Sequence, residues 1–401
     1  MVDLDILKEL SRATPSRIVL LVIDGLGGLP HPATGKTELE TASTPNLDGL
    51  CRWGSCGLVD PVAQGITPGS APGHMALFGY EPVKFSIGRG VLEALGTGFD
   101  LQNGDVAARG NFCTVDDKGV VTDRRAGRLS TARSAELCRL LQGIRIEGAQ
   151  ASVLPLMEHR FAVVFRGKGL AAQLSGSDPQ LEGKPPRAIV AQSEASQRTA
   201  GLVHQFVSRS AELLAEHHPA NMILLRGFSQ RPNFPSMGEV FKLRAAAIAT
   251  YPMYRGLAKL VGMTVLDAGI TLQDELATLR KHFKDFDFFF LHVKKADSAG
   301  EDGDFERKVR AIEEVDAILP EILALKPEVL MITGDHSTPA AIKSHSWHPV
   351  PFLLASQWCR SSTATVFSER ECARGELGRF PSVQVLTLAL AHGLKLDRFG
   401  A

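Results

Sequence analysis

The sequence predicts an α/β fold in which a mostly parallel sheet is flanked by helices. Short apolar runs rich in β-branched residues are typical of buried strands, and they occupy positions 18–23, 222–225, 263–266, 286–293, 329–333 and 350–355. Amphipathic helical patterns lie between them, most clearly at 200–214 and 305–323. Because strands alternate with helices, the sheet should be parallel and covered on both faces. Pro320 should kink or end the second of these helices.

The composition of the 401-residue chain is that of an ordinary globular protein, with 44% apolar and 22% charged residues. Lys+Arg and Asp+Glu both number 44, and this balance argues against nucleic acid or a membrane surface as a partner. No apolar run approaches the roughly 20 residues of a membrane helix, and the N-terminal segment lacks a signal-peptide core. These features predict a cytoplasmic protein, and they do not determine its oligomeric state.

The stretch 97–188 differs from the rest of the chain. It is rich in glycine, it carries a strand-like piece at 161–165, and it ends in the turn-rich sequence SGSDPQLEGKPPRA. We therefore expect a smaller inserted domain over 97–188. The main α/β domain would then be discontinuous, comprising 1–96 and 189–401.

Acidic and histidine side chains follow three of the predicted strands. They are Asp24 after the first, Asp297 and Glu301 after another, and Asp335, His336 and His345 after a third. Ligands of open α/β sheets bind at the carboxyl ends of the strands. Clustered carboxylates repel each other unless cations are present, and Asp/Glu/His ligands suit Mn²⁺ or Zn²⁺ better than Ca²⁺. For any single residue the alternative is a simple turn or helix cap.

Ser70 is a candidate nucleophile within the sequence ITPGSAPGHMALFGYEP. It follows a Pro-Gly turn and begins a predicted helix, whose N-terminus favours an anion. The alternative is an ordinary N-cap serine. A neighbouring metal ion would lower the pKa of the hydroxyl and make Ser70 reactive at neutral pH.

Several motifs together resemble the archaeal-type cofactor-independent phosphoglycerate mutases of the alkaline phosphatase superfamily. They are Asp24-Gly25, TPGS…GH…LFGYEP, GRGVLEALG, NFCTV…DRRAGR, ILLRG and TGDHSTP…SHSWHPVP. The resemblance extends from about residue 18 to residue 392. It implies an alkaline-phosphatase-like α/β domain with a smaller inserted α+β domain that covers the substrate. The implied activity interconverts 3-phosphoglycerate and 2-phosphoglycerate without 2,3-bisphosphoglycerate.

The resemblance also implies roles for individual residues. Two divalent ions, Mn²⁺ or Zn²⁺ with Mg²⁺ as an alternative, would be held by two sets of ligands: Asp24, Ser70, Asp335 and His336 in one, and Asp297, Glu301 and His345 in the other. Ser70 would take the phosphoryl group from one oxygen of the small phosphorylated substrate and return it to the other. The remaining matches are a catalytic histidine, His74, and the substrate-binding arginines Arg124, Arg125 and Arg226, which suit phosphate and carboxylate groups.

Three positions depart from the family pattern. Glu301 replaces a usual histidine, Ala71 follows the nucleophile where aspartate is common, and Val240-Phe241 replaces a pattern that carries lysine. Two alternatives therefore stay open. One is a metal-dependent phosphatase or phosphotransferase acting on another small phosphorylated metabolite, and the other is a non-catalytic homologue.

Overall fold

The computed structural model describes residues 3–360 and 363–400. Its strands are β1 (Ile18–Ile23), β2 (Ser55–Asp60), β3 (Val106–Val115), β4 (Val121–Asp123), β5 (Gln150–Pro155), β6 (Arg160–Arg166), β7 (Met222–Gln230), β8 (Ala245–Ile248), β9 (Thr264–Val265), β10 (Phe288–Val293), β11 (Val329–Thr333), β12 (Val350–Ser356) and β13 (Gly378–Pro381). Its α-helices are α1 (Leu4–Leu10), α2 (Glu38–Thr41), α3 (Pro45–Cys51), α4 (Ser70–Leu77), α5 (Arg89–Gly96), α6 (Thr131–Gln142), α7 (Gln197–Leu214), α8 (Met237–Phe241), α9 (Pro252–Leu260), α10 (Leu272–His282), α11 (Lys295–Asp302), α12 (Phe305–Ala324), α13 (Glu369–Cys372) and α14 (Val385–His392). Among these helices, none combines the length and apolarity that crossing a membrane requires.

The chain folds into two compact units. The large unit comprises Met1–Ser86 and Phe234–Ala401, and the small unit comprises Ile87–Asn233. Within its described residues, the large unit contains an eight-stranded sheet in the order β13-β2-β12-β11-β1-β10-β8-β9. Strand β12 is antiparallel to both of its neighbours, and the other pairings are parallel. The prediction of a mostly parallel sheet flanked by helices is therefore confirmed.

The central strands of the large sheet explain the apolar runs in the sequence. Every residue of β1, β10 and β11 is buried, so both faces of these strands need apolar side chains. Strand β1 is parallel to β10 on one side and to β11 on the other. Since neighbouring parallel strands end at the same edge of a sheet, the residues that follow these three strands are brought together there.

The small unit is built on a separate antiparallel sheet. Its strands run in the order β4-β3-β6-β5, and β7 pairs with β3. Helix α7 packs on this sheet, where Phe206 meets Phe165 edge to face with ring centroids 5.5 Å apart. The strand and helix predicted at 222–225 and 200–214 therefore belong to the small unit and not to the large sheet.

The boundaries of the small unit differ from those expected at 97 and 188. The unit begins earlier because α5 packs against β3 and β7, and it ends later because β7 completes the sheet. The turn-rich stretch at 175–188 is hydrogen-bonded to strands of the small sheet. Ser177 hydrogen-bonds the backbone of Leu225 on β7, and the Gly183 N–H donates to the carbonyl of Val121 on β4 at 2.9 Å.

Pro320 was expected to kink or end its helix, and it does not end it, because α12 continues to Ala324. A proline has no N–H and leaves the carbonyl four residues earlier without its helical partner. That carbonyl belongs to Asp316, and it accepts a hydrogen bond from Asn46 Nδ2 at 3.1 Å. A side chain from α3 thus replaces the missing backbone donor.

Candidate metal centre

The loop after β1 is shaped by a glycine that allows close approach. Gly25 has φ +72°, and a Cβ at this position would lie 2.8 Å from Asp297 Cα and 2.7 Å from Thr338 Oγ1. Only glycine adopts this conformation at low cost and leaves that space free. Asp24, immediately before it, is fully buried at the carboxyl end of β1.

The structure brings together the first set of predicted ligands. One ligand atom each from Asp24, Asp335 and His336 lie within 4.8 Å of one another. His336 Nε2 is 3.3 Å from Asp24 Oδ1 and 3.2 Å from Asp335 Oδ2. Ser70, the first residue of α4, places its Oγ 3.2 Å from the same Nε2. All four residues therefore converge on one small volume.

Two members of the second predicted set, Asp297 and His345, form a similar group with His336 of the first set. Asp297, His336 and His345 also place one ligand atom each within 4.8 Å of one another. The rings of His336 and His345 are stacked with centroids 3.6 Å apart. Glu301 lies outside this group, with its side chain 54% exposed and Oε1 3.8 Å from His345 Nε2. The structure thus places His336 between the two predicted sets and Glu301 at the rim.

These donors fit a divalent cation. Asp24 Oδ1 and Asp335 Oδ2 are buried and make no hydrogen bond within the described part of the chain, although a buried carboxylate oxygen is costly without a partner. Burial raises the pKa of Asp24, but His292 and Lys294 hold it well below its ordinary value. Burial lowers the pKa of His336, which favours the neutral imidazole. Ionised carboxylates and neutral imidazoles are the forms that bind metal ions.

Asp24 has three further partners that the sequence did not identify as site residues. Its Oδ2 accepts hydrogen bonds from Lys294 Nζ at 3.1 Å and from Tyr254 Oη, and it lies 3.1 Å from His292 Nε2. Lys294 also forms an ion pair with Asp297. A lysine three residues before a candidate ligand was a local signal for Lys294, whereas nothing in the sequence around Tyr254 pointed to this site.

His74 is fully buried beside the candidate ligands. Its Nδ1 donates to the carbonyl of Ser70 at 2.8 Å and lies 3.1 Å from Asp335 Oδ2. Burial lowers the pKa of His74, but the nearby charges of Asp335 and Asp24 and the hydrogen bond to Ser70 together raise it more, so the net shift is upward. His74 is thus placed to orient Ser70 and Asp335.

The three predicted arginines lie in the small unit, and two of them converge on one carboxylate. Arg124 makes a two-pronged contact with Asp178 at 3.0 and 2.7 Å, and Arg226 Nη1 lies 3.8 Å from the same side chain. Arg125 donates a backbone hydrogen bond, from its N–H to Asp123 at 2.7 Å. A further buried arginine, Arg109, lies opposite Arg226 in the β3–β7 pairing and was not anticipated.

Comparison with known proteins assigns the chain to a family. A family model described as 2,3-bisphosphoglycerate-independent phosphoglycerate mutase matches residues 52–221. A probable 2,3-bisphosphoglycerate-independent phosphoglycerate mutase of Thermotoga neapolitana is 52% identical over 395 residues, covering 98% of both chains. A protein of the same description in Thermus thermophilus is 51% identical over 401 residues, covering 99% of both.

Solved structures agree with this assignment. A protein of Pyrococcus horikoshii superimposes with a TM-score of 0.84 at 29% identity, covering 97% of this chain and all of that one. The cofactor-independent phosphoglycerate mutase of Thermoplasma acidophilum gives a TM-score of 0.75 at 29% identity and covers 94% of this chain and 100% of that one. Family match, identity and fold therefore lead to one conclusion: the chain belongs to the 2,3-bisphosphoglycerate-independent phosphoglycerate mutase family.

Proposed function

We propose that this chain interconverts 3-phosphoglycerate and 2-phosphoglycerate at a two-metal centre, with Ser70 carrying the phosphoryl group between the two oxygens. One observation supports this most directly: Ser70 Oγ lies 3.2 Å from Nε2 of His336, the imidazole common to both ligand groups. A serine hydroxyl at such a position is a suitable nucleophile. Family membership supports the choice of substrate.

The proposed ligands form two sets that share one edge of the sheet. Asp24, Ser70, Asp335 and His336 would hold one ion, and Asp297 and His345, with Glu301 at the rim, would hold the other. Mn²⁺ or Zn²⁺ suits this mixture of carboxylate and imidazole, and Mg²⁺ is the alternative. When bound, such ions act as Lewis acids and lower the pKa of a coordinated hydroxyl.

Residues of the chain itself contribute positive potential at Ser70. The residue begins α4, whose N-terminal N–H groups favour an anionic phosphoserine. Lys294 lies among the carboxylates. Burial lowers the pKa of its ammonium group, but Asp24 and Asp297 raise this pKa by more, so the group stays charged. Lys242, in the altered segment near 240, instead donates to the carbonyl of Glu239 at 2.9 Å and is exposed. Lys294 is therefore our candidate for the lysine that stabilises charge on the transferring group.

The small unit would supply the groups that retain the glycerate. Arg124, Arg125 and Arg226 are suited to the phosphate and the carboxylate of the substrate. Asp178 holds the Arg124 guanidinium by two hydrogen bonds, which limits its freedom before substrate binds. A mutase must also exclude water while the glycerate reorients.

Product analysis tests the proposal against its alternatives. Purified protein supplied with Mn²⁺ and 3-phosphoglycerate should form 2-phosphoglycerate, which ³¹P NMR detects. The Ser70→Ala variant should lose turnover by several orders of magnitude. Release of inorganic phosphate without isomer would favour the phosphatase alternative, which the altered segment at Val240-Phe241 supports. A wild-type chain that forms neither product in the presence of metal would be a non-catalytic homologue.

A further inference from the structure

Thr338 lies two residues after His336, and all of its polar atoms are bonded. The residue is fully buried. Its N–H faces the carbonyls of Gly25 and Gly27 at 3.3 and 3.1 Å, and its own carbonyl accepts from Lys308 Nζ at 2.9 Å. Its hydroxyl lies 2.6 Å from Asp297 Oδ1 and 3.0 Å from His336 Nδ1. Thr338 therefore touches the loop after β1, a proposed ligand on α11 and the imidazole that belongs to both groups.

The single proton of the Thr338 hydroxyl determines the direction of these bonds. An ionised carboxylate can only accept, so the hydroxyl donates to Asp297. It must then accept from His336, which places a proton on Nδ1 and leaves the lone pair on Nε2. His336 Nδ1 is 3.9 Å from Asp297 Oδ1, too far for a direct hydrogen bond that would do the same. The free lone pair thus points to Ser70, Asp24 and Asp335, as a metal ligand requires.

A buried lysine holds Thr338 in place. Lys308 on α12 is fully buried, and its ammonium donates to the carbonyls of Gly27 and Thr338, both at 2.9 Å. It also lies 3.8 Å from Glu38 Oε1, which compensates its charge. One ammonium group therefore joins the loop that carries Asp24 to the loop that carries His336.

The surrounding backbone is built for this close approach. A Cβ at Gly300, on α11, would lie 2.2 Å from the Thr338 carbonyl oxygen. Together with Gly25, which faces the Thr338 hydroxyl, this glycine lets two backbone segments close around the threonine. The position of Thr338 is thus defined by backbone as well as by hydrogen bonds.

We propose that Thr338 is a positioning residue of the metal centre. Its hydroxyl sets the tautomer of His336 and orients Asp297, and Lys308 holds Thr338 in position. This inference rests on the proposed function, because it assumes that His336 and Asp297 bind metal ions. Partners of this kind orient the ligand and typically change metal affinity by about 10–100-fold when removed.

The tautomer is tested directly in the wild-type protein without metal. Two-dimensional ¹H–¹⁵N NMR of ¹⁵N-histidine-labelled protein should show His336 with hydrogen on Nδ1, the signal being assigned by its loss in His336→Asn. Finding the proton on Nε2 would overturn the proposal. In Thr338→Val, which keeps the shape and removes the hydroxyl, the Nδ1–H form should no longer dominate, whereas Thr338→Ser should retain it.

Metal titration supplies the second measurement. Thr338→Val should bind Mn²⁺ about 10–100-fold more weakly than wild type in calorimetric titrations, and Thr338→Ser should stay within a few-fold. Thr333→Val is the matched control, since Thr333 is a buried threonine at the end of β11 and, among the described residues, its hydroxyl hydrogen-bonds only backbone carbonyls. Wild-type affinity in Thr338→Val, or an equal loss in Thr333→Val, would overturn the proposal. If Thr338→Val does not fold, the wild-type NMR spectrum and the Mn²⁺ affinity of Thr338→Ser still test the proposal.

These measurements separate this inference from the proposed function. A protein that releases phosphate in place of 2-phosphoglycerate would contradict the mutase proposal and leave both the tautomer and the metal affinities unchanged. A wild-type protein that binds no Mn²⁺ or Zn²⁺ would remove the basis of both.

Discussion

Lys294 is the ammonium group that lies between the carboxylates of the candidate metal centre. Its side chain is 23% exposed and contacts both Asp24 and Asp297, which are fully buried. Removing one partner of such an ion pair leaves charges without compensation, which costs more than the pair itself contributes. The metal-free protein should therefore depend on Lys294 more than the metal-bound protein does.

We expect Lys294→Met to lower the free energy of unfolding of the metal-free protein by about 3 kcal/mol. Excess Mn²⁺ should recover most of this loss, because the bound ions then neutralise Asp24 and Asp297. Denaturant titrations with EDTA and with Mn²⁺ measure both effects. Lys295→Met is the control, since its ion pair with Glu314 is exposed on both sides and should contribute about 1 kcal/mol or less. Equal losses in the two variants would contradict the role given to Lys294.

Substitution of Glu301 tests whether this residue belongs to the second group of metal ligands. Because its carboxylate is half exposed and 3.8 Å from His345, we expect Glu301→Ala to weaken Mn²⁺ binding by about tenfold or less. Asp297→Ala, which removes a buried member of the group, should weaken it by more than about 100-fold. Calorimetric titration of both variants with Mn²⁺ gives the ratio of the two losses in affinity. A Glu301→Ala loss as large as that of Asp297→Ala would make Glu301 a full ligand.

At the scale of the elements, β1 and β11 occupy the positions that their apolar runs predicted. Both strands are buried on two faces, so the hydrophobic run and the strand have the same ends. Helix α12 was predicted less well, because the cost of Pro320 within a helix depends on whether another donor can reach the carbonyl it leaves open. Asn46, 270 residues away in the chain from Asp316, provides that donor.

The α3–α12 contact gives a prediction at this scale. Asn46 Nδ2 donates to the carbonyl of Asp316 and to its carboxylate, at 3.1 and 2.9 Å. We expect Asn46→Ala to lower the free energy of unfolding by about 1–2 kcal/mol, because a buried carbonyl is left without a partner. In a Pro320→Ala background the loss should be smaller, since the restored N–H can reach Asp316. Denaturant unfolding of the four proteins measures the difference, and the same loss in both backgrounds would contradict this explanation.

For the whole molecule, a buried acid on α10 makes stability depend on pH. Burial, and to a lesser extent the neighbouring Asp274, raises the pKa of Glu275 to about 8. In the unfolded chain an ordinary glutamate loses its proton near pH 4.3. Between these values the folded state binds more protons than the unfolded state, so stability falls as pH rises. This loss of stability is absent below about pH 4 and complete above about pH 8.

We expect Glu275→Gln to lie within about 1 kcal/mol of wild type in stability at pH 5 and to exceed it by up to about 5 kcal/mol at pH 9. The amide imitates the protonated acid and has no proton to lose. Guanidinium unfolding of both proteins at pH 5, 7 and 9 measures the change, and other titrating groups cancel in the comparison. Parallel stability curves across this range would contradict the raised pKa.

The division into two units also belongs to the whole molecule. The boundaries expected at 97 and 188 followed composition, whereas the observed ones follow the pairing of β7 with β3. That pairing joins residues that are distant in the chain, such as Cys113 and Met222. Local composition carries no information about such a partner, so the insertion was predicted too short.

By itself the sequence determined the central strands, the acidic and histidine residues that follow them, and the position of Ser70 at the start of a helix. Each of these is a local pattern, in which an apolar run and the residue after it are read together. Only the tertiary structure decided that His336 lies in both ligand groups, that Lys294 and Tyr254 contact Asp24, and that Thr338 connects His336 to Asp297. The physical reason is that these contacts join side chains from separate loops and helices, which come within hydrogen-bonding distance only when parallel strands have aligned their ends.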